Sequence, residues 1–529
     1  MAESLELQDL ATKTFPGLPN RGQIPTLDLA TSPSADTADT LIVGVYNGEN
    51  GLELGNLPKS VLDSDQEISL WRVLTSVGAT GKAEELTTVP GALLASGGSS
   101  SPATKIIAVG LGETETPDEE TIRRAAGVAS RSPQLGTTIV STLGAYSPAA
   151  ALIGHGLGGY KFSGFKAQKK DATADASIDS KNGHATIQVI ADEADESVLK
   201  EAQVLTTAVC LARDLVNQPA NFLYPETYAD TMKELATAVG LGVEILNEKE
   251  LEEQGYGGIV GVGKGSEHAP RLVRLTHEPE GAADAPFVAL VGKGVTFDTG
   301  GISLKPGANM WDMISDMGGS ASVLGSMIAA ALLELPLKVT ATIPLAENTP
   351  SSTATRPGDV LKHYNGLTTE VLNTDAEGRL ILGDAMARAS EDKPDYLIET
   401  ATLTGAQMVA LGNRTPGVMG SVDFRDLVSK ISHSTGENGW PMPLPVELGE
   451  ALKSDVADLR NISTTRWGGM SVAGQYLSHF VGEGIEWVHI DIAGPSYNTD
   501  GAHGYTPKRG TGVPVRTIIA TLQHLVEGK

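Results

Sequence analysis

The run Asn373-Thr374-Asp375-Ala376-Glu377-Gly378-Arg379-Leu380 puts two carboxylates and a guanidinium at alternate positions on a turn, with a helical pattern, Leu380–Met386, following it. Alternate side chains of an extended backbone point the same way, so Asp375, Glu377 and Arg379 are expected to face one ligand. Two converging acids repel each other unless a cation holds them together, which makes metal binding the first chemistry to consider. Roughly eighty residues upstream, Phe287-Val288-Ala289-Leu290-Val291 is a continuous apolar run, as in a strand buried on both faces. Just past its carboxyl end come Lys293 and Asp298, set among Gly292, Gly294, Gly300 and Gly301. Ligands of open α/β sheets bind at that end of the strands, and glycines let them approach the backbone. Lys305 and Asp316 follow, ahead of a helix predicted over 319–333.

The elements that must hold these residues alternate between strand and helix. Strands are predicted at Phe287–Val291, Lys338–Pro344, Glu370–Leu372, Tyr396–Thr402 and Trp487–Ile492, with the candidate residues at or beyond several carboxyl ends. A long helix is predicted from about Val198 to Asn217, stopped by Gln218-Pro219. The acidic cluster Asp192–Glu196 marks a boundary, so the expectation is an N-terminal domain over 1–195 and a catalytic domain over 196–529. The first 36 residues, with their many Pro, Ser and Thr, read as a partly ordered lead-in. Strands at Thr40–Val45, Lys105–Leu111, Thr137–Ser141 and Thr186–Ile190, with a helix over 118–130, predict a small α/β domain. The polar stretch Gln168–Gly183 reads as a surface excursion. The fold class is therefore α/β, a small N-terminal α/β domain followed by a larger one with a central mixed sheet flanked by helices.

Composition narrows the function classes. A chain of 529 residues exceeds the size at which one core stops growing, so two domains are the default. Its formal net charge of -26 argues against nucleic acid as a partner, because a nucleic-acid groove needs a basic footprint. The single cysteine, Cys210, lies in an apolar helical run and reads as a core residue. The acidic start, Met1-Ala2-Glu3-Ser4-Leu5-Glu6, has no apolar signal-peptide core, and no apolar stretch approaches the ~20 residues of a membrane helix. A cytoplasmic protein is expected.

Several patterns invite other chemistry. Gly258–Gly265 nearly matches a phosphate-binding loop, but Gly265 stands where a magnesium-holding Ser or Thr is required, so a flexible turn is expected. The ten histidines include no helical metal pair, and His489 reads as a satisfied core residue. No G-x-S-x-G elbow supports a serine nucleophile. Asp359 reads as a turn residue and Glu347 as support behind the acids.

The eight-residue run, joined to Val291–Gly294, Phe297–Gly301, Leu304–Pro306, Arg356–Val360, Thr402–Ala406 and His489–Pro495, resembles the leucyl aminopeptidase (cytosol aminopeptidase) family. The resemblance covers about the C-terminal three-fifths, from near Val198. It implies an aminopeptidase that binds two divalent ions, manganese or zinc, with magnesium or cobalt as alternatives. Asp298 and Glu377 would bridge both ions, Asp375 would complete the more exchangeable site, and Lys293 and Asp316 the tighter one. Lys293 could ligate only as a neutral amine. The resemblance further implies that Lys305 stabilises the tetrahedral intermediate and that Arg379 anchors a bicarbonate acting as general base. Asn373 and Leu403 would hold the substrate backbone. Met313, Thr402 and Gly405 would line the pocket for the first side chain, favouring leucine. Short peptides with a free N-terminus would be the substrates and a homohexamer the assembly. Another two-metal hydrolase, such as a phosphoesterase, and a DNA-binding regulator of the same family are the alternatives.

Overall fold

The computed structural model describes residues 7–34, 38–95, 101–166 and 185–528, so the excursion expected at Gln168–Gly183 lies outside the described residues. The chain divides into two compact units. One comprises Met1–Arg21, Leu211–Thr499 and Lys508–Lys529, the other Gly22–Cys210 and Asp500–Pro507. The division falls inside the helix Glu196–Val216, close to the span predicted for it.

Among the described residues, the smaller unit carries a seven-stranded sheet. Its strands are β1 (Thr26–Ala30), β2 (Ala38–Gly48), β3 (Gly51–Leu54), β4 (Leu86–Pro90), β5 (Ala103–Gly110), β6 (Thr138–Ser141) and β7 (Thr186–Ile190). They run in the order β1-β7-β6-β2-β5-β4, with β3 paired to β2. Within the described part of the lead-in, Thr26–Ala30 forms a strand with a full parallel partner in Thr186–Ile190. The helix Glu119–Ser130 starts where Asp118 Oδ1 accepts the Thr121 N–H at 2.8 Å, a side-chain cap at the positive end of the helix. In this unit's core, His155 is fully buried between Ser130 Oγ at 2.7 Å and Ser141 Oγ at 2.8 Å. Burial pushes its pKa down to about 3.

The larger unit has a nine-stranded mixed sheet among the described residues. Its strands are β8 (Gly242–Leu246), β9 (Arg271–His277), β10 (Phe287–Gly292), β11 (Gly294–Asp298), β12 (Lys338–Asn348), β15 (Tyr396–Ala401), β16 (Gly417–Gly420), β17 (Trp440–Pro441) and β19 (Glu486–Asp491). Three short strands, β13 (Val360–Lys362), β14 (Thr368–Glu370) and β18 (Leu459–Arg460), form a separate sheet. The centre of the large sheet is the parallel set β19-β15-β10-β12, with β9 antiparallel to β12 and β8 antiparallel to β9 beyond it. The helices Gly318–Leu332 and Gly378–Glu391 are buried along most of their length.

Three expectations change here. The chain does not leave the sheet after Val291: β11 continues along β12, so β10 and β11 act as one strand interrupted at Lys293. The strand predicted over Glu370–Leu372 ends at Glu370 and belongs to the small sheet. Gly258–Gly265 is largely a buried helix, Gly257–Gly263, rather than a flexible turn. A Cβ on Gly258 would lie 2.2 Å from the Leu380 carbonyl oxygen, so its glycine serves close packing against the helix Gly378–Glu391.

Candidate active site

The interruption between β10 and β11 aims Lys293 inward. Its N–H donates to Thr400 O at 3.0 Å on β15, and its carbonyl accepts the Ser320 N–H at 2.8 Å. The side chain, 2% exposed, reaches Asp316 Oδ1 at 2.7 Å, Glu377 Oε1 at 2.9 Å and Thr402 O at 2.9 Å. A Cβ on Gly378 would lie 2.6 Å from Lys293 Cε, so only glycine lets the lysine pass. Lys305 makes the second bridge, with Nζ 2.7 Å from Asp298 Oδ2 and 2.5 Å from Asp375 Oδ1.

The four carboxylates come from three separate segments. Asp298 ends β11, and its Oδ1 accepts the Gly300 N–H at 2.9 Å and Asn348 Nδ2 at 2.8 Å. Asp316 directly precedes the helix Gly318–Leu332, and its Oδ1 accepts the Thr402 hydroxyl at 2.9 Å. Asp375 lies in a turn, where its N–H donates to Asn373 Oδ1 at 2.9 Å. Glu377 already has helical backbone angles, φ -79° and ψ -34°, at the cap of Gly378–Glu391. Oxygens of Asp298, Asp375 and Glu377 all lie within 4.8 Å of one another.

The run is, as expected, a turn ahead of a helix, and not an extended segment whose alternate side chains all share one face. Asp375 and Glu377 still converge, but Arg379 sits within the helix and donates from Nη1 to Asn461 O at 2.8 Å. Its buried Nε has no hydrogen-bond partner among the described residues. Met313 lies in the short 3-10 helix Met310–Ser315, and its carbonyl accepts the Asp316 N–H at 3.2 Å. Thr402 and Leu403 leave β15, and Gly405 opens the helix Gly405–Leu411, which the Thr404 side chain caps.

Electrostatics give these acids an unusual balance, four carboxylates around two ammonium groups. Burial raises Asp298 to about 6, with the Glu377 charge adding to the effect. Burial likewise raises Asp316 and Asp375. For Glu377 burial works upward, but Lys293 and then Lys305 outweigh it and hold the carboxyl below its ordinary value. Burial opposes charge on Lys293, yet Asp316, Glu377 and Asp298 keep its ammonium form favoured. Asp316 Oδ2 is buried with no hydrogen-bond partner among the described residues. Clustered oxygens, raised acids and this orphaned oxygen fit a group that brings in more positive charge.

Two supporting residues were assigned no role from the sequence. Asn348 links Asp298 to the Thr374 carbonyl, which its Nδ2 reaches at 3.0 Å. Asp491 accepts the Leu403 N–H at 3.2 Å and the Thr404 hydroxyl at 2.7 Å, steadying the segment after β15. The only signal for Asn348 was its position at a strand's carboxyl end, whereas Asp491 lay within the run His489–Pro495. Glu347, by contrast, accepts the Ser266 hydroxyl at 2.8 Å. Asp359 is a turn residue, accepting the Arg356 N–H at 2.9 Å. His489 is only half satisfied: Nδ1 contacts Glu399 Oε2, whereas buried Nε2 has no partner among the described residues.

A model of the cytosol aminopeptidase family's catalytic domain matches residues 210–519, and one of its N-terminal domain matches residues 42–169. The chain belongs to the cytosol aminopeptidase family. It is accordingly an aminopeptidase, with the mixed α/β architecture of that family. A "Probable cytosol aminopeptidase" of Corynebacterium diphtheriae is 52% identical, covering 96% of this chain and 99% of that protein. The bottromycin maturation enzyme BotP, solved in complex with manganese, is 33% identical with a TM-score of 0.77, covering 92% of this chain and 100% of its own. A solved variant of tomato leucine aminopeptidase is 26% identical with a TM-score of 0.79, covering 96% and 99% of the two chains. Among the described residues no helix is long and apolar enough to cross a membrane.

Proposed function

We propose that this aminopeptidase is metal-dependent and releases N-terminal residues, leucine foremost, from short peptides. The observation that carries the reading is the convergence of Asp298, Asp375 and Glu377 beside the buried Lys293–Asp316 pair. These five residues would hold two divalent ions, manganese or zinc before magnesium or cobalt. The manganese in BotP supports a divalent metal. When bound, such ions supply Lewis acidity and acidify a water for attack on the peptide carbonyl.

The chain's own groups do the rest. Lys293 gives up its proton to act as a nitrogen ligand, because an ammonium has no lone pair. Lys305 stays charged and stabilises the oxyanion that develops on the scissile carbonyl. Arg379, permanently cationic and planar, suits anchoring of bicarbonate, the general base in this reading. Asn373 and Leu403 hold the substrate backbone, and Met313, Thr402 and Gly405 line the pocket for its first side chain. The part over 1–195 is non-catalytic, at the periphery of a homohexamer, and the part over 196–529 carries the reaction in the cytoplasm.

Metal analysis of the purified protein, coupled to hydrolysis of a leucine amide, tests this reading. Chelation should abolish turnover and added manganese, cobalt or zinc restore it. Full turnover by protein shown to be metal-free would overturn it. Light scattering tests the assembly, with a particle near six times the 55.0 kDa chain mass expected.

A further inference from the structure

Asn461 follows β18, the strand that pairs with β14 just before the acidic turn. It is fully buried, and nearly every polar group it owns is spent on the segment from Glu370 to Arg379. Its N–H donates to Glu370 O at 3.1 Å. Its side-chain Oδ1 accepts the N–H groups of Leu372 at 2.8 Å and Asn373 at 3.3 Å. Nδ2 donates to Asn373 O at 2.6 Å and Ala376 O at 3.3 Å. Its carbonyl accepts Arg379 Nη1 at 2.8 Å.

Those contacts bracket Asp375 and Glu377 from both sides. Leu372 and Asn373 lie before them, Ala376 between them and Arg379 after them. The turn has no regular ladder of its own here, since β14 ends at Glu370 and the helix begins at Gly378. A primary amide can accept and donate at once, which a segment presenting both N–H and C=O groups requires. The same residue's carbonyl holds the guanidinium through Nη1, while the buried Nε has no partner among the described residues.

We infer that Asn461 is a positioning residue for the reaction: it sets the spacing of Asp375 and Glu377 and aims Arg379. This rests on the metal-site reading above. Asn461 touches neither substrate nor reacting atoms in this role; it acts through the turn.

The test compares Asn461→Ala with Asn461→Asp in the full chain. Aspartate keeps the shape and the acceptor toward Leu372 and Asn373 but sets a carboxylate oxygen against the Asn373 and Ala376 carbonyls. Leucine amide kinetics, manganese per chain after dialysis and the response to added bicarbonate are read alongside thermal unfolding. Both variants should lose about 10²-fold in kcat, the scale of a small misplacement of catalytic groups, with KM little changed. Manganese retention and the bicarbonate response should fall with kcat. If Asn461→Ala does not fold, Asn461→Asp alone decides. A lowered unfolding midpoint with kcat, manganese content and bicarbonate response unchanged would overturn the inference. Glu377→Ala serves as the control. Its full turnover would instead overturn the metal-site reading, and the inference with it.

Discussion

Lys293 crosses Gly378 so closely that a methyl group there would lie 2.6 Å from its Cε and 2.9 Å from its Nζ. The helix carrying Gly378 and the strand break carrying Lys293 therefore fit only when position 378 has no side chain. Gly378→Ala should push the amine off Asp316 and Glu377. Because Ala suits a helix better than Gly, the helix itself should not suffer. Turnover should fall about 10²-fold with far-ultraviolet circular dichroism unchanged. Wild-type kcat in this variant would show that Lys293 need not sit where it does.

The two lysines should behave differently. Lys305, the more exposed of the pair, contacts Asp298 and Asp375, whereas Lys293 is enclosed with Asp316 and Glu377. Lys305→Ala should retain manganese but lose about 10²–10³ in kcat, the scale of a lost oxyanion donor. Lys293→Ala should lose manganese. Elemental analysis beside kinetics separates the two, and metal loss from Lys305→Ala would refute the division of roles.

Metal affinity should climb with pH. Asp298, raised to about 6, is protonated below that value, and Lys293 is held as an ammonium by its acidic neighbours. Both must lose protons before ligating, so binding releases protons and weakens as pH falls through about 6. Titration calorimetry of manganese in buffers of different ionisation enthalpy reads the proton count directly. Zero proton release at pH 6 would contradict the prediction.

His155 should make the smaller unit acid-labile. Its folded pKa of about 3 lies below the ordinary 6.5, so between those values the unfolded chain binds a proton that the folded chain does not. Stability from this group is complete above about 6.5 and is lost as pH falls from there toward 3, at ~1.4 kcal/mol per pH unit. His155→Gln should flatten the dependence of the unfolding midpoint between about pH 6.5 and 4.5. A slope identical to the wild type's would exclude His155 as its source.

Asn348 should matter although no motif contains it. Removing its amide takes a donor from buried Asp298 Oδ1 and from the Thr374 carbonyl, a loss of about 1–3 kcal/mol if water cannot enter. Chemical denaturation of Asn348→Ala measures the stability part, and manganese retention measures the effect on Asp298. No change in either would remove Asn348 from the support of the site.

The sequence by itself determined the alternation of strand and helix, the continuous apolar run of β10, and the candidate acids and lysines. Those are local properties: burial on both faces imposes unbroken apolar residues, and sharp turns impose glycine. The eight-residue run, joined to the other ordered motifs, was enough to point to the family. Tertiary structure alone decided that Arg379 turns away within the helix toward Asn461, that Lys293 interrupts a strand rather than following one, and that Gly258 is a packing residue. It also decided which residues brace the site. Asn348 and Asn461 lie 26 and 88 residues from the turn carbonyls they hold, and Asp491 lies 88 residues from Leu403. A hydrogen bond between such partners leaves no periodicity in the chain, because its geometry exists only once the sheet has brought the strand ends together.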